Sequence, residues 1–432
     1  MNTRATPPTV EVRIWGQGVG SVAAAPQRDC QVFTWDPGWR RTGIELAPLT
    51  MPLAGGDRFA FPDLSTASYR GLPGMLADAL PDDFGNALIE AWMNSKGIPE
   101  TAISALDRLA FIGRRGFGAL EFRPARGAPR ESAEALQMPS LVEVARRVLH
   151  GDLARGAGGD RLARSALARL TRVGTSAGGA RAKAAVAWNP HTGALRSGQF
   201  DVDAGFEHWL LKFDGVGEAK GGEDGRIEYA YAQMAGAAGI TMSPCRLLEE
   251  NGRAHFMTRR FDRQVAGEHS ARHHLQTLCG IDHVDYKLRR THAYARLFAV
   301  IDRLGLGPLA VGQAFRRMAF NVMARNCDDH SKNFSFRLKQ GGEWELAPAY
   351  DLTHAHNPRG QWTRQHQLSI NGRFEGITRA DLLIEAERFG VLRAFDVLAD
   401  VRDALACWPR FARDAGLGAA SAAAVGGDLL PL

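Results

Sequence analysis

Three oxygen-bearing side chains between residues 326 and 351 have the types and the spacing that phosphoryl transfer requires. This reaction uses a carboxylate beside the acceptor hydroxyl and separate oxygen ligands for the magnesium ion on the nucleotide. Mg²⁺ favours carboxylate and amide oxygens. Asn333 follows Asp328 by five positions, the spacing of a kinase catalytic loop, and Asp351 comes 18 residues later. The sequence therefore predicts Asp328 as the catalytic carboxylate and Asn333 and Asp351 as Mg²⁺ ligands.

A helix and a hairpin are predicted to position these three residues. Residues 308–325 carry apolar side chains at helical spacing and lead directly into the Asp328 loop. Residues 333–351 predict a short hairpin whose strands carry Asn333 and Asp351 to one site. Taken alone, the polar run around Asp328 is also consistent with an ordinary turn, because matches to this spacing are common by chance.

A second candidate segment, residues 173–183, is rich in glycine and other small residues. Small residues let backbone N–H groups approach phosphate oxygens, and glycine supplies the dihedral angles of an anion-binding nest. The segment is not a Walker A sequence, because Ala180 follows Gly179 where that motif has lysine. From these residues alone, a glycine-rich hairpin without phosphate contact is the more frequent outcome.

A predicted strand at residues 206–213 carries Lys212 near its end. In kinases, a lysine on a strand neutralises the nucleotide phosphates, whereas an isolated lysine at a strand end usually faces water. The helix that follows contains Glu228, which is the candidate carboxylate to pair with Lys212. A glutamate facing solvent is the alternative for this position.

The catalytic segment resembles that of the HipA family of bacterial toxin kinases. In that family the segment reads D-x-H-x-K-N-F-S and is followed by P-x-Y-D. This chain matches it at Asp328, His330, Lys332, Asn333, Phe334, Ser335, Pro348, Tyr350 and Asp351. The run of several matching positions makes the resemblance more specific than the Asp–Asn spacing alone.

The same resemblance implies roles for residues in the glycine-rich segment and beyond it. The family's phosphate loop reads S-x-A-G-x-x-x-K, and here the glycine placement is shifted slightly. The segment between the lobes reads E-R-F-D-R in the family, and Arg259 replaces its glutamate. The implied nucleotide-binding set is Ser176, Ala177, Gly178, Gly179, Ala180, Lys183, Lys212, Arg259, Arg260, Phe261, His330, Lys332 and Tyr350. Ser176 is the implied site of self-phosphorylation, with Thr175 as the second choice.

The resemblance implies an α+β, divergent protein-kinase-like fold of the bilobal kind also seen in phosphoinositide kinases. Three parts are predicted: residues 1–125 as an N-terminal β/α subdomain, 126–262 as a nucleotide-binding lobe with the glycine-rich loop, and 263–432 as a helical catalytic lobe. No internal repeat is evident.

For function, the resemblance implies an ATP- and Mg²⁺-dependent Ser/Thr protein kinase that is the toxin of a type II toxin–antitoxin system. The family's best-known members phosphorylate an aminoacyl-tRNA synthetase and so inhibit translation. The expected partner is a helix-turn-helix antitoxin, with operator DNA reached only through the complex.

Two alternatives belong to other classes. One is a DNA-binding co-repressor that retains the fold and works only as a partner of the antitoxin. A degenerate catalytic set would favour it, whereas the residues at 328, 333 and 351 are intact. The other is a phosphotransferase for a small molecule or lipid, which would use the same three residues.

Composition restricts the class of protein. The sequence has 432 residues with 45% hydrophobic and 23% charged, a formal charge of +6, and no apolar run long enough for a membrane span. The five cysteines are scattered and form no C-x-x-C pair, so neither a disulfide framework nor a structural zinc site is expected. These features, and an N-terminus without the apolar core of a signal peptide, predict a cytoplasmic protein with no membrane association.

Three further segments carry predictions that bear on other functions. Residues 16–20 contain several glycines after a strand but lack a third glycine at the required position, so a hairpin is expected instead of a dinucleotide-binding loop. Residues 416–427, rich in Gly, Ala and Ser, are expected to be a mobile tail. The histidines at 273, 274, 354 and 356 lack metal-ligand spacing and are expected in polar surface or loop positions.

Overall fold

The computed structural model describes residues 9–25, 29–81, 83–125, 136, 138–149, 181–216, 222–266 and 269–432. Contacts divide the chain into two compact units. Unit 1 comprises Met1–Gly221, Leu248–Leu275 and Lys339–Gly341, and unit 2 comprises Gly222–Leu247, Gln276–Leu338 and Gly342–Leu432. Both units contain helices and strands, so the fold is α+β, as the sequence predicts. The finer division into three parts remains a prediction.

The first sheet of unit 1 is antiparallel, in the order β4-β3-β2-β1-β5. Its strands are β1 (Thr9–Ile14), β2 (Gln17–Ala24), β3 (Gln31–Trp35), β4 (Arg58–Phe59) and β5 (Glu121–Arg123). Alternate residues of β1 are fully buried, which gives the strand one core face. Trp15 and Gly16 connect β1 to β2, both with positive φ. The glycine-rich segment at 16–20 is therefore a hairpin, as expected.

Among the residues that the structure describes, six α-helices of unit 1 precede its second sheet. They are α1 (Pro37–Arg40), α2 (Thr66–Tyr69), α3 (Gly74–Ala77), α4 (Asp83–Asn94), α5 (Ala105–Ile112) and α6 (Met138–Leu149). Ser104 and Asp107 form a capping box at the start of α5, which satisfies backbone N–H groups that the first turn leaves without helical partners. Buried side chains of α4 and α6 share one hydrophobic core with the second sheet.

The second sheet of unit 1 has the order β7-β6-β8-β10-β9. Its strands are β6 (Lys183–Trp188), β7 (Leu195–Ser197), β8 (Glu207–Lys212), β9 (Cys245–Glu250) and β10 (Arg253–Arg259), and a separate hairpin follows as β11 (Arg263–Ala266) and β12 (His269–Arg272). Trp188 and Trp209 pack edge to face with ring centroids 5.6 Å apart. The predicted strand that carries Lys212 is confirmed as β8.

Unit 2 is mainly helical. Its helices are α7 (Asp224–Ala237), α8 (Leu278–Asp282), α9 (Tyr294–Arg303), α10 (Gly307–Met323), α11 (Arg379–Arg388), α12 (Ala394–Ala406), α13 (Trp408–Asp414) and α14 (Ala419–Asp428). Phe315, Met318 and Val322 of α10 are buried, so the apolar face read from the sequence is the core face. No helix within the described ranges is long and apolar enough to cross a membrane.

Short strands of unit 2 lie next to the segment that contains Asp328. Strand β13 (His274–Thr277) begins at the end of unit 1, and β14 (His292–Ala293), β15 (Ser335–Leu338), β16 (Trp344–Leu346) and β17 (Leu368–Ser369) follow. β15 and β16 form the predicted antiparallel hairpin, with Phe336 opposite Leu346. β14 and β17 pair in parallel, with His292 opposite Leu368. This parallel pair was not predicted, because each strand has only two residues.

The prediction of a mobile tail at residues 416–427 is wrong, because most of this segment is helical. Residues Ala419–Asp428 form α14, whose Val425 is 4% exposed. The backbone N–H of Leu430 donates to the carbonyl of Met323 at 2.8 Å. Glycine and alanine let this helix pack closely, and the Trp408 indole donates to the carbonyl of Ala422 at 2.8 Å. The composition resembles that of a linker, but tertiary contacts make the segment part of unit 2.

Candidate active site

The segment from Asn326 to Asn333 forms a closed loop between α10 and β15. The side-chain amide of Asn333 donates to the backbone carbonyl of Asp328 at 2.7 Å. This bond connects Asn333 to Asp328, five positions earlier in the sequence, and holds the two residues next to each other. The Asp328 carboxylate is 45% exposed, so a hydroxyl group from another molecule can reach it. The Nε2 of His330 lies 4.0 Å from Oδ1 of Asp328.

Tyr350 holds the far end of the hairpin against the same loop. Its hydroxyl donates to the backbone carbonyl of Lys332 at 2.5 Å and lies 2.6 Å from the Ser335 hydroxyl. Asp351 therefore follows directly after a residue bonded to the loop that ends at Asn333. The hairpin of β15 and β16 thus returns the chain to this loop, and a shared site of Asn333 and Asp351 stays a prediction.

Asn333 and Asp351 have the donor chemistry that Mg²⁺ requires. The Asn333 amide nitrogen is used in the bond to Asp328, so its side-chain oxygen is the atom left for a metal. Asp351 has φ 56°, a left-handed conformation that aspartate adopts more readily than most residues. Among the described residues, no group of three or more His, Cys, Asp or Glu side chains has a metal-binding arrangement. A site here would therefore use the asparagine amide and water in addition to carboxylates.

Asp329, the residue after Asp328, is fully buried and accepts three hydrogen bonds. The Tyr294 hydroxyl donates at 2.7 Å, the His366 Nδ1 at 2.9 Å and the backbone N–H of Gln367 at 2.7 Å. These bonds fix the loop to α9 and to the segment that leads into β17. Sequence reasoning assigned no role to Asp329 or His366.

The hydrogen-bond network continues from Tyr294 through two buried asparagines. Asn321 of α10 donates to the Tyr294 hydroxyl at 2.9 Å, and Asn326 donates to the Asn321 side-chain oxygen at 2.9 Å. All of these side chains are at most 1% exposed. A buried polar group needs a partner to offset its desolvation. The network thus links the end of α10 to the catalytic loop, although the buried side-chain oxygen of Asn326 has no hydrogen-bond partner.

The buried Asp329 carboxylate changes the pKa of the His366 imidazole. Burial by itself lowers the pKa of His366, but the nearby Asp329 carboxylate and its hydrogen bond raise that pKa to about 10. The imidazole is therefore a cation at neutral pH, and the contact is a buried ion pair at 2.9 Å.

The cations predicted to contact phosphates in unit 1 lie side by side on one sheet. Lys183 at the start of β6 stands directly opposite Lys212 at the end of β8. Directly paired residues of antiparallel strands present their side chains on the same face. The two lysines are 3% and 6% exposed, so two buried cations occupy neighbouring positions.

The segment that contains Arg260 and Phe261 is tied into unit 1 by a buried ion cluster. Arg260 donates to both oxygens of Asp262 at 2.9 and 2.7 Å, and Arg263 donates to it at 2.5 Å. Burial opposes the charge on Asp262, yet these two arginines hold its pKa below the ordinary value. The backbone N–H of Gly118 also donates to Asp262 at 2.8 Å.

The side chain and the backbone N–H of Arg260 are thus both bonded inside the fold. Its side chain binds Asp262, and its backbone N–H donates to the carbonyl of His208 at 2.9 Å. Arg259 pairs with Trp209 in the β10–β8 ladder, and its side chain is 50% exposed. Nucleotide binding by Arg259, Arg260 and Phe261 stays a prediction, and the bonds of Arg260 make it the least available of the three.

The remaining predictions for nucleotide binding concern the glycine-rich segment and Glu228. The glycine-rich residues Ser176 to Ala180, with Thr175, lie outside the described residues. Glu228 on α7 is 1% exposed, so the alternative of a solvent-facing glutamate is wrong.

The histidines at 273, 274, 354 and 356 hold structural contacts. His273 and His274 are 5% and 0% exposed, which corrects the expectation of a surface position. His274 Nε2 lies 3.0 Å from the Leu46 carbonyl, and burial lowers its pKa to about 4. His354 and His356 both bond the Asp428 carboxylate at the end of α14, at 2.9 and 2.7 Å.

Two family models match the chain, and together they cover most of it. One, described as the HipA-like C-terminal domain, matches residues 175–416, and the other, described as the HipA N-terminal domain, matches residues 10–123. No curated protein matches the sequence significantly.

One solved structure has a similar fold over nearly the whole chain, and a second matches it only weakly. A chain from the Shewanella oneidensis MR-1 toxin–antitoxin complex of HipA, HipB and its operator DNA matches 97% of this chain and 94% of that chain, with a TM-score of 0.65 and 16% identity. The Helicobacter pylori proinflammatory kinase CtkA matches 48% of this chain and 81% of its own, with a TM-score of 0.33 and 13% identity. The second similarity is too low to support an argument.

Proposed function

The chain belongs to the HipA family, and from this premise we propose that it is an ATP- and Mg²⁺-dependent Ser/Thr protein kinase. We further propose that it is the toxin of a type II toxin–antitoxin system and has a divergent protein-kinase-like bilobal fold. The observation that carries the kinase proposal is the closed loop, in which Asn333 bonds the Asp328 carbonyl and Tyr350 bonds the Lys332 carbonyl. These two bonds support the proposal, because one connects Asn333 to Asp328 and the other ties the residue before Asp351 to the same loop.

Each residue has a defined part in the proposed reaction. When bound, Mg²⁺-ATP supplies the transferable phosphoryl group. Asp328 would accept or orient the proton of the acceptor hydroxyl, Asn333 and Asp351 would hold the metal, and ADP would be the leaving group. Lys183 and Lys212 would contribute two ammonium groups to bind the nucleotide phosphates, and residues 176–180 are proposed to cover these phosphates. His330 and Lys332 support the catalytic loop beside Tyr286, whose ring centroid is 4.8 Å from the Lys332 ammonium.

We expect Asp351→Asn to weaken binding of Mg²⁺-ATP more than Asp328→Asn does. Asp351 is the proposed direct ligand and loses a charge in the variant, whereas Asp328 faces the acceptor. Titration with Mg²⁺-ATP should therefore raise the Tm of the Asp328 variant nearly as much as that of the wild type, because ligand binding stabilises the folded state. Equal responses of the two variants would refute the metal assignment, and ATP without Mg²⁺ is the control.

Self-phosphorylation of Ser176 is proposed as the way in which the enzyme is switched off. A phosphate adds roughly −1.5 to −2 charges, which repels the nucleotide phosphates from the loop that should cover them. Phosphopeptide mass spectrometry after incubation with Mg²⁺-ATP should find the modification at Ser176, with Thr175 as the second choice. An active chain without phosphate at either residue would exclude this mechanism.

The partners are proposed from the family. The S. oneidensis complex contains HipA, HipB and operator DNA, so we propose that this chain binds a small helix-turn-helix antitoxin and reaches operator DNA through it. The proposed target is a protein such as an aminoacyl-tRNA synthetase, and the proposed compartment is the cytoplasm. Expression of the chain alone should arrest bacterial growth, and co-expression of its antitoxin should relieve the arrest. A wild-type chain that is harmless without its partner would contradict the toxin role.

A further inference from the structure

A basic pocket lies in unit 2 beside the catalytic loop. The cavity measures about 310 Å³ and is lined by two segments, residues 287–290 and 361–367. Four of the lining side chains are cationic (Lys287, Arg289, Arg290 and Arg364), and none of the described residues that line it is acidic. A concave site with this excess of positive charge favours an anionic ligand.

The two walls of the pocket are held together by their own contacts. Arg289 donates to the Gln361 carbonyl at 2.6 Å and lies over the Trp362 ring at 5.2 Å. Arg290 donates twice to the Gln365 side-chain oxygen, at 3.2 and 2.8 Å. The parallel pairing of β14 with β17 begins just beyond both segments. The pocket is therefore built by the fold and is not a chance arrangement of surface arginines.

Both walls also contact the catalytic loop. Gln367 lines the pocket, and its backbone N–H donates to Asp329 at 2.7 Å, one residue after Asp328. On the other wall, Tyr286 precedes Lys287, and its ring centroid lies 5.6 Å from that of His330. An anionic group in the pocket would thus sit close to the carboxylate that faces the acceptor hydroxyl.

We propose that this pocket binds an anionic side chain of the acceptor protein, near the serine or threonine that receives the phosphoryl group. The choice of ligand rests on the proposed phosphoryl transfer at Asp328. Guanidinium groups bind carboxylates and phosphates through paired hydrogen bonds, so aspartate, glutamate and phosphoserine share the required chemistry. The preferred acceptor is therefore an acidic or already phosphorylated segment.

The size of the pocket favours a protein segment over nucleic acid. Ligand pockets measure roughly 300–1,000 Å³, and this cavity of about 310 Å³ is at the lower end of that range. It can take one or two side chains. Duplex DNA presents phosphates at regular intervals along an extended surface, and a small concave pocket cannot follow them.

Binding of fluorescent peptides tests the pocket without any need for catalysis. Three peptides would carry alanine at the acceptor position and differ only in the neighbouring residues, which would be glutamate, phosphoserine or glutamine. The wild-type chain should bind both anionic peptides about tenfold or more tightly than the glutamine peptide, since hydrogen bonds to charged groups are among the stronger ones. The better of the two anionic peptides identifies the source of the charge.

The pocket variant is Arg289→Gln with Arg364→Gln, and the matched control is Arg402→Gln with Arg413→Gln, two exposed arginines on α12 and α13. In the pocket variant, the ratio of the affinity for each anionic peptide to the affinity for the glutamine peptide should fall towards one. In the control, this ratio should stay at the wild-type value. The reversal Arg289→Glu with Arg364→Glu should shift the preference to a lysine-flanked peptide.

Other results would overturn the proposal. They are equal binding of anionic and neutral peptides by the wild type, an unchanged ratio in the pocket variant, or loss of duplex DNA or Mg²⁺-ATP binding in that variant without loss of peptide binding. A wild-type chain that binds the anionic peptides selectively but labels neither their serine versions nor any lysate protein would refute the kinase assignment and not the pocket.

Discussion

Replacement of Asp328 by asparagine should lower the rate of phosphoryl transfer by roughly 10²–10⁴-fold, the usual contribution of a general base. The amide cannot accept the proton of the acceptor hydroxyl. The Asp328 carboxylate is 45% exposed, and the Asn333 bond that closes the loop uses the Asp328 backbone carbonyl. The Tm and the affinity for Mg²⁺-ATP should therefore stay close to those of the wild type. Rates measured with saturating Mg²⁺-ATP and the same acceptor protein would show the effect.

The matched control for this experiment is Asp302→Asn. Asp302 is an exposed residue of α9 in the same unit, and its replacement removes the same charge. The control should retain the wild-type rate. A folded Asp328 variant with the wild-type rate would show that another group accepts the proton, and a variant that unfolds at lower temperature would show that the carboxylate has a structural part.

Replacement of Asp329 by asparagine should reduce stability more than any other single change near the loop. The amide keeps the shape and can still accept the Gln367 N–H bond, but its nitrogen meets the His366 and Tyr294 donors, and the buried cation loses its counter-charge. Loss of one partner of a buried ion pair costs about 3–5 kcal/mol. In a unit of this size, that corresponds to a decrease in Tm of roughly 6–20 °C. Thermal unfolding followed by circular dichroism would measure it.

Two comparisons separate the ion pair from general disruption. Asp428→Asn removes a carboxylate that also bonds histidines but is 29% exposed, and such partly exposed pairs contribute about 1 kcal/mol or less. For the buried pair, Asp329→Asn and His366→Gln each remove the same interaction. Their effects on the free energy of unfolding should therefore be less than additive in the double variant. Additive effects would contradict the ion pair as the source of the stability.

The contribution of the pair should also depend on pH. The pKa of His366 is raised from its ordinary value of 6.5 to about 10 in the folded chain, so the folded state holds this proton more tightly than the unfolded state. The stabilisation is then complete below pH 6.5 and declines as the pH rises towards 10. The difference in Tm between the wild type and His366→Gln should narrow over this interval, and a constant difference would refute the assignment.

The local structure of the candidate site was predictable because it depends on residues close together in the sequence. Asp328 and Asn333 lie in one loop, and the hairpin of residues 335–346 brings Asp351 back by local pairing. The helix that leads into the loop was predictable from the spacing of its apolar residues. In these cases the residues that carry the sequence pattern and the residues that form the predicted element belong to about one supersecondary motif.

The groups that hold the loop in place depend on distant parts of the chain. His366 is 37 positions from Asp329, and Tyr294 is 35 positions before it. No periodicity marks such pairs, because a buried polar residue is defined by its tertiary neighbours. The same applies to Asp428, which bonds His354 and His356 although it ends a segment with the composition of a linker. A sequence signal for His366 would have required evidence of coupled variation with Asp329.

The central claim is that this chain transfers the terminal phosphoryl group of ATP to a protein hydroxyl by means of Asp328. Purified wild-type chain, incubated with γ-labelled ATP, Mg²⁺ and a bacterial lysate, tests it most directly beside the Asp328→Asn variant. We predict that the wild type labels serine or threonine in at least one lysate protein and that the variant does not. No transfer to any lysate protein by the wild type, or equal labelling by the wild type and the variant, would contradict the claim.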